Sequence, residues 1–139
     1  MEIIHSLGIL SASKNVNEDS GFLLTNKNGS YCSFFYTPSS RYQGLFYLDK
    51  KSMEMYKFID YIGIAGADKV DMIKNEGYRV QRKKGSVVEH FIMPKNSESL
   101  IYELNKHHEI NLVLDCKNSY DNRHFGRHYE VLEEKDCFV

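Results

Sequence analysis

At 139 residues the chain has the size of one domain, and about two thirds of its extended-chain surface can be buried without disulfide or metal staples. Hydrophobic residues make up 42% and charged residues 27%, with a formal net charge of -1, which excludes a disordered polyelectrolyte and leaves no global positive field to hold nucleic acid. Three cysteines, Cys32, Cys116 and Cys137, form no CxxC pair and are odd in number, so they read as reduced thiols rather than a secreted disulfide framework.

The first residues carry neither a basic leader nor an apolar run long enough for a signal peptide or a membrane span, so the expectation is a cytoplasmic protein without a membrane partner. Ten tyrosines and eight phenylalanines against no tryptophan favour strands. Residues 7–16 have Ser11, Ser13 and Asn15 interrupting the aliphatics and read as an edge strand or an irregular lead-in. A clear strand covers 22–25, and Asn26-Lys27-Asn28-Gly29 is a turn because Asn and Gly tolerate positive φ; 30–36 then returns as the second arm of a hairpin.

The polar run Thr37-Pro38-Ser39-Ser40-Arg41-Tyr42 passes directly into the apolar strand 43–48, with Gly44 allowing another backbone or a ligand to come close. Arg41 and Tyr42 beside the mouth of that strand suit a carboxylate or a sugar hydroxyl, or the arginine pins the loop through backbone carbonyls. Residues 53–65 fit both a helical face and an extended one; the β-branched and aromatic density of Ile59-Asp60-Tyr61-Ile62-Gly63-Ile64 favours a strand.

Strands over 70–73, 78–82 and 87–93 follow as a meander punctuated by Gly77 and Gly85. The basic cluster Arg79, Arg82, Lys83 and Lys84 reads as a solvated hairpin tip. Asn96-Ser97-Glu98-Ser99 would cap a short helix, but Leu100, Tyr102 and Leu104 also alternate, and Ile110, Leu112 and Leu114 continue the alternation beyond a His107-His108 turn. A polar run from Asp115 to Arg127 and a closing strand over 129–132 complete the chain. Eight to ten short strands, no long helical period and no internal repeat predict an all-β fold, a twisted antiparallel β-sandwich.

Three stretches resemble the amino-terminal domain of prokaryotic glycogen debranching enzymes of the amylo-1,6-glucosidase type: Gly21-Phe22-Leu23-Leu24-Thr25-Asn26, Gly29-Ser30-Tyr31, and Ser40-Arg41-Tyr42-Gln43-Gly44-Leu45-Phe46. Gln43 stands where that family usually has histidine, and Lys27-Asn28 is inserted in the turn. The run Tyr120-Asp121-Asn122-Arg123-His124-Phe125-Gly126-Arg127-His128-Tyr129 is similar in kind to the family's second polar loop. The resemblance implies a non-catalytic sandwich, the amino-terminal part of a longer glycoside hydrolase. It would help to recognise an α-glucan and pack on a downstream (α/α)6 catalytic domain in cis. On that reading Arg41, Tyr42, Gln43, Asp121, Arg123, His124 and Arg127 contact substrate or the domain interface, with no cofactor. The alternative is a free-standing binding or assembly protein with the same sandwich and no glucan ligand. Homodimerisation through an exposed edge strand is left open by the sequence.

Chemistry within the chain itself has weaker support. Glycoside cleavage needs two carboxylates about 5 to 9.5 Å apart, and none of the 19 acidic residues is nominated as such a pair by a motif. His124 and His128 with Cys116, Asp121 and Cys137 invite a zinc site, but on a looped backbone that spacing does not aim both rings at one point. A cysteine with either histidine as a small enzyme's nucleophile and base lacks an orienting third group.

Overall fold

The computed structural model describes residues 1–16, 20–35, 40–66, 69–121, 123, 129–130, 133–134 and 137–138. Wherever apolar side chains alternate with polar ones the chain is extended, and the described residues contain no helix. Eleven strands build two sheets. They are β1 (Glu2–Leu7), β2 (Leu10–Asn15), β3 (Phe22–Thr25), β4 (Tyr31–Phe34), β5 (Gly44–Asp49), β6 (Glu54–Ile64), β7 (Met72–Asn75), β8 (Arg79–Lys84), β9 (Val87–Ile92), β10 (Ile101–Leu104) and β11 (Ile110–Asn118). A further two-residue pair joins β12 (Glu133–Glu134) to β13 (Cys137–Phe138). The architecture is the β-sandwich the alternation predicts.

The first sheet has the order β10-β9-β8-β7-β1-β2, antiparallel throughout except for the parallel pair β1 and β7. The second is antiparallel, in the order β11-β6-β5-β4-β3. Residues 7–16, expected as an edge strand or irregular lead-in, instead turn at Gly8 between β1 and β2. Strand β7 begins two residues later than expected. Strand β10 pairs with β9 while β11 pairs with β6, so the segment through His107 and His108 crosses from one sheet to the other. Asp115 to Asn118, expected in a polar loop, belongs to β11. Tyr129 and Glu130, expected in a strand, are not in one, and Val131 and Leu132 lie outside the described residues.

The core lies between the sheets, where Phe22, Leu24, Cys32, Phe34, Leu45 and Ile62 meet Val70, Ile73, Val80, Phe91 and Met93. The Phe91 ring is the hub, with centroids 4.8 Å from Phe22, 5.7 Å from Phe34 and 5.1 Å from Tyr102. Beside it the basic cluster departs from the solvated tip expected of it: Arg82 is 1% exposed and Lys84 3%. Strand alternation places Val80, Arg82 and Lys84 on the same, inward face as the core.

Arg82 sits directly opposite Glu89 in the β8–β9 ladder, and Glu89 is fully buried. The guanidinium donates to both carboxylate oxygens, Nε to Oε2 at 2.5 Å and Nη2 to Oε1 at 2.7 Å, and Nη2 also donates to the Ile62 carbonyl at 3.0 Å. Glu89 Oε1 accepts from the Ile64 amide at 3.2 Å and from the Tyr102 hydroxyl at 2.7 Å. The pair therefore bolts β8, β9 and β10 of one sheet to β6 of the other. Gly63 makes room for it, since a Cβ there would lie 2.8 Å from Arg82 Nη2. Burial pushes the Glu89 carboxyl up, but Arg82, the Tyr102 hydroxyl and the Lys84 ammonium outweigh it and hold the carboxyl below its ordinary range.

Arg82→Ala strands a buried carboxylate and is expected to lower stability by about 3–5 kcal/mol in urea unfolding, while Arg82→Met with Glu89→Leu costs less than either single truncation. Because the folded-state value of Glu89 lies below the unfolded one, its contribution is complete at neutral pH and lost as pH falls through the folded-state value. Stability should therefore drop below about pH 4 in the wild type, with a flatter acid limb in Glu89→Gln.

Candidate functional site

The inner faces of β3, β4 and β5 are committed to the core, so the same alternation turns Leu23, Thr25, Tyr31 and Ser33 to the outer face of the second sheet. The register arranges them in two rows, Leu23-Ser33-Gly44 and Thr25-Tyr31-Phe46. Small residues in the first row and rings in the second leave a trough of about 500 Å3 lined by Leu23, Thr25, Gly29, Tyr31, Ser33 and Tyr42. Tyr31 stacks on Phe46 with centroids 4.9 Å apart and planes 11° apart, and Phe46 has the Lys57 ammonium 5.7 Å from its ring centre. Lys57 is itself held by Asp60 and by Asp115, the latter at 3.7 Å.

The segment leading into β5 forms one wall. The Ser40 carbonyl accepts from the Gln43 amide at 3.0 Å and the Ser40 hydroxyl from the Tyr42 amide at 3.2 Å, so the serine shapes its own turn as expected. Pro38 and Ser39 lie outside the described residues. The Tyr31 hydroxyl donates to the Tyr42 carbonyl at 3.2 Å and fixes the wall to the floor. Burial, and then the neighbouring Tyr42, raise the Tyr31 phenol above its ordinary value, so it remains a neutral donor. Arg41 lies over Tyr42 with Cζ 4.8 Å from the ring centre, and its Nη2 donates to the Tyr42 hydroxyl at 2.6 Å. Gln43 is buried, 2% exposed, and Gly44 has φ 122 with a would-be Cβ only 2.2 Å from the Ile59 carbonyl oxygen. The close approach expected at Gly44 is thus to the backbone of β6, where an extra β6 residue bulges opposite Leu45 and Phe46.

Asp121 and Arg123 form a two-pronged ion pair with both bonds at 2.9 Å, and Arg123 is well exposed. They follow the end of β11, while Arg41 precedes the start of β5. Both strands run antiparallel to β6, and Asn118 is level with Tyr47 across it. The two predicted clusters therefore sit at opposite ends of the sheet, about 20 Å apart along the strands, and do not converge on one ligand. His124, Arg127 and His128 lie outside the described residues.

A second opening of about 490 Å3 lies at one end of the sandwich, beside Tyr78, Met93 and Lys95. Its Asn26 side chain is committed to the Ser97 carbonyl and the Asn28 amide, so the polar groups there hold turns together. Among the described residues no group of three His, Cys, Asp or Glu gathers as a metal set would. Cys32 is buried, and burial pushes its thiol up to about 12 against a backbone hydrogen bond from Leu24 that lowers it, so it is no thiolate nucleophile. No protein-family model, curated protein or solved structure matches the chain, and the likeness to debranching enzymes rests on the motifs alone.

The sequence reading singled out Arg41 and Tyr42 but passed over Leu23, Thr25, Ser33 and the role of Tyr31. Their signal was present as the polar phase of two strands whose other phase is Phe22, Leu24, Cys32 and Phe34.

Two measurements check this geometry. Gly44→Ala should cost about 3 kcal/mol or more in denaturant unfolding, because strain at positive φ adds to a backbone clash. Gly85→Ala, also at positive φ but with open space at its Cβ, should cost about 1 kcal/mol. Site-mapped labelling with a thiol reagent should modify the exposed Cys116 in the native state and reach Cys32 only on unfolding.

Proposed function

We propose that the chain is a non-catalytic β-sandwich that recognises an α-glucan in the trough on the outer face of β3, β4 and β5, and serves a helical catalytic domain rather than cleaving sugar itself. The observation that carries this is the Tyr31–Tyr42 trough: two phenol rings at a concave, solvent-open surface, with the hydroxyls of Thr25 and Ser33 and the Arg41 guanidinium beside them. Flat rings cover sugar C–H faces while the hydroxyls and the guanidinium meet hydroxyl pairs, and the volume lies within the range of small-ligand sites. The debranching-enzyme motifs supply the substrate class and fall on this trough, since residues 21–26, 29–31 and 40–46 include its walls and floor. The free thiols of Cys32 and Cys116 support placement in the reducing cytoplasm.

Titration with maltooligosaccharides, followed by calorimetry or by amide shifts, is expected to show saturable binding centred on Tyr31 and Tyr42. Tyr42→Ala and Arg41→Ala should weaken it about five- to thirty-fold, as loss of an aromatic or charged contact does. Both should change folding stability by less than about 0.5 kcal/mol, because both side chains are exposed. Absence of binding to maltooligosaccharides at millimolar concentration, with the fold intact, would sink the glucan reading.

A further inference from the structure

We propose that β11 is a homodimerisation edge, pairing antiparallel with β11 of a second copy about a two-fold axis through Val113. The proposal is independent of the glucan reading. Strand β11 is the outer strand of its sheet and carries an unusual load for an edge: Ile110 is 44% exposed, Leu112 50%, Val113 46% and Leu114 40%. The other edges are guarded differently. Strands β3 and β10 are four residues long, and β2 reads Leu-Ser-Ala-Ser-Lys-Asn. Strand β11 is nine residues long with no charge between Ile110 and Leu114.

The ladder with β6 shows which groups face outward. The Glu109 carbonyl accepts from the Ala65 amide and the Ser119 amide donates to the Met55 carbonyl, so the odd-numbered residues turn their backbone groups toward β6. Ile110, Leu112, Leu114 and Cys116 turn theirs away, as the Cys116 amide confirms by donating to the Tyr129 hydroxyl at 3.1 Å. Alternation also fixes the side chains. Ile110 and Leu112 lie opposite the buried Ile64 and Ile62, on the face of the sheet that looks to the other sheet, yet they remain exposed because β11 overhangs the sandwich.

Charge selects the occupant and the register. About an axis through Val113, the strand is complementary to itself: Leu112 faces Leu114 of the second copy, Asn111 faces Asp115, and Glu109 faces Lys117, each pair occurring twice by symmetry. The outward backbone groups of Leu112 and Leu114 then bond to each other, and those of Ile110 take the place of the Tyr129 hydroxyl on Cys116. Moving the axis to Leu112 opposes Glu109 to Asp115, two like charges. Moving it to Leu114 leaves Lys117 facing Asn111 and Glu109 without its cation. A shift by a single residue turns the wrong backbone groups toward each other.

The test uses the full chain in sedimentation velocity over a concentration series, with cysteine cross-linking in a Cys116→Ser background. The expected result is a monomer–dimer equilibrium. Val113 falls at a non-hydrogen-bonded pair with Cα atoms about 4.5 Å apart, so Val113→Cys should give a covalent dimer on oxidation. Leu112→Cys, about 7–8 Å from its own symmetry mate, should not. Glu109→Lys and Lys117→Glu should each weaken the dimer roughly tenfold, and the double exchange should restore it. Thermal melts check that each variant is folded. A chain that stays monomeric at every concentration overturns the proposal, as does Leu112→Cys cross-linking in place of Val113→Cys. Failure of the double exchange, where its two single variants fold, overturns the register.

Discussion

The Arg82–Glu89 pair is the constraint on which the rest of the sandwich depends. A carboxylate and a guanidinium removed from water are tolerable only if every lone pair and N–H they bring finds a partner. Here the partners come from both sheets: the Ile62 carbonyl and the Ile64 amide from β6, and the Tyr102 hydroxyl from β10. Apolar contact would let two sheets slide by a residue at little cost. A fork that must meet one carbonyl and one amide of the opposite sheet does not. The Arg82 guanidinium also lies 4.9 Å from the centre of the Phe91 ring, so the polar bolt and the aromatic hub are one assembly.

With the inner face set in this way, the outer face of β3, β4 and β5 is free to be a surface of its own. Gly44 links the two sides: its approach to the Ile59 carbonyl forces the bulge that lets Leu45 enter the core while Phe46 supports Tyr31 from the outside. The turn set by Ser40 then delivers Tyr42 and Arg41 to the rim. The trough is therefore built on strands whose positions the core has already decided, which is the arrangement a preorganised binding surface needs.

Strands β3 and β11 are the opposite edges of the second sheet. Pairing through β11 about a two-fold axis normal to the sheet would join two copies without covering either trough, and would leave both on the same side of a continuous sheet. For a polymeric ligand, two sites on one face raise avidity without any new contact, provided the chain can span them. The two proposals are thus independent in origin yet compatible in space.

The sequence by itself determined the class of fold. Alternation in 22–25, 54–64 and 87–92, and the turns at Asn26–Gly29 and Gly85, are local signals, because side-chain direction in a strand depends only on parity and turn chemistry only on adjacent residues. The close approach at Gly44 and the prominence of Arg41 and Tyr42 were legible for the same reason. What the tertiary structure alone decided was which strand lies beside which. The cross-over that sends β10 and β11 to different sheets, the parallel pairing of β1 with β7, and the separation of Arg41 from Asp121 and Arg123 all depend on long-range register, which no local pattern encodes. Burial of Arg82, Lys84 and Glu89 belongs there too. Their inward phase was written in β8 and β9, but a charged residue is read as exposed until the partner that neutralises it is seen, and here that partner lies seven residues away across a hairpin, with the remaining hydrogen bonds supplied from β6 and β10.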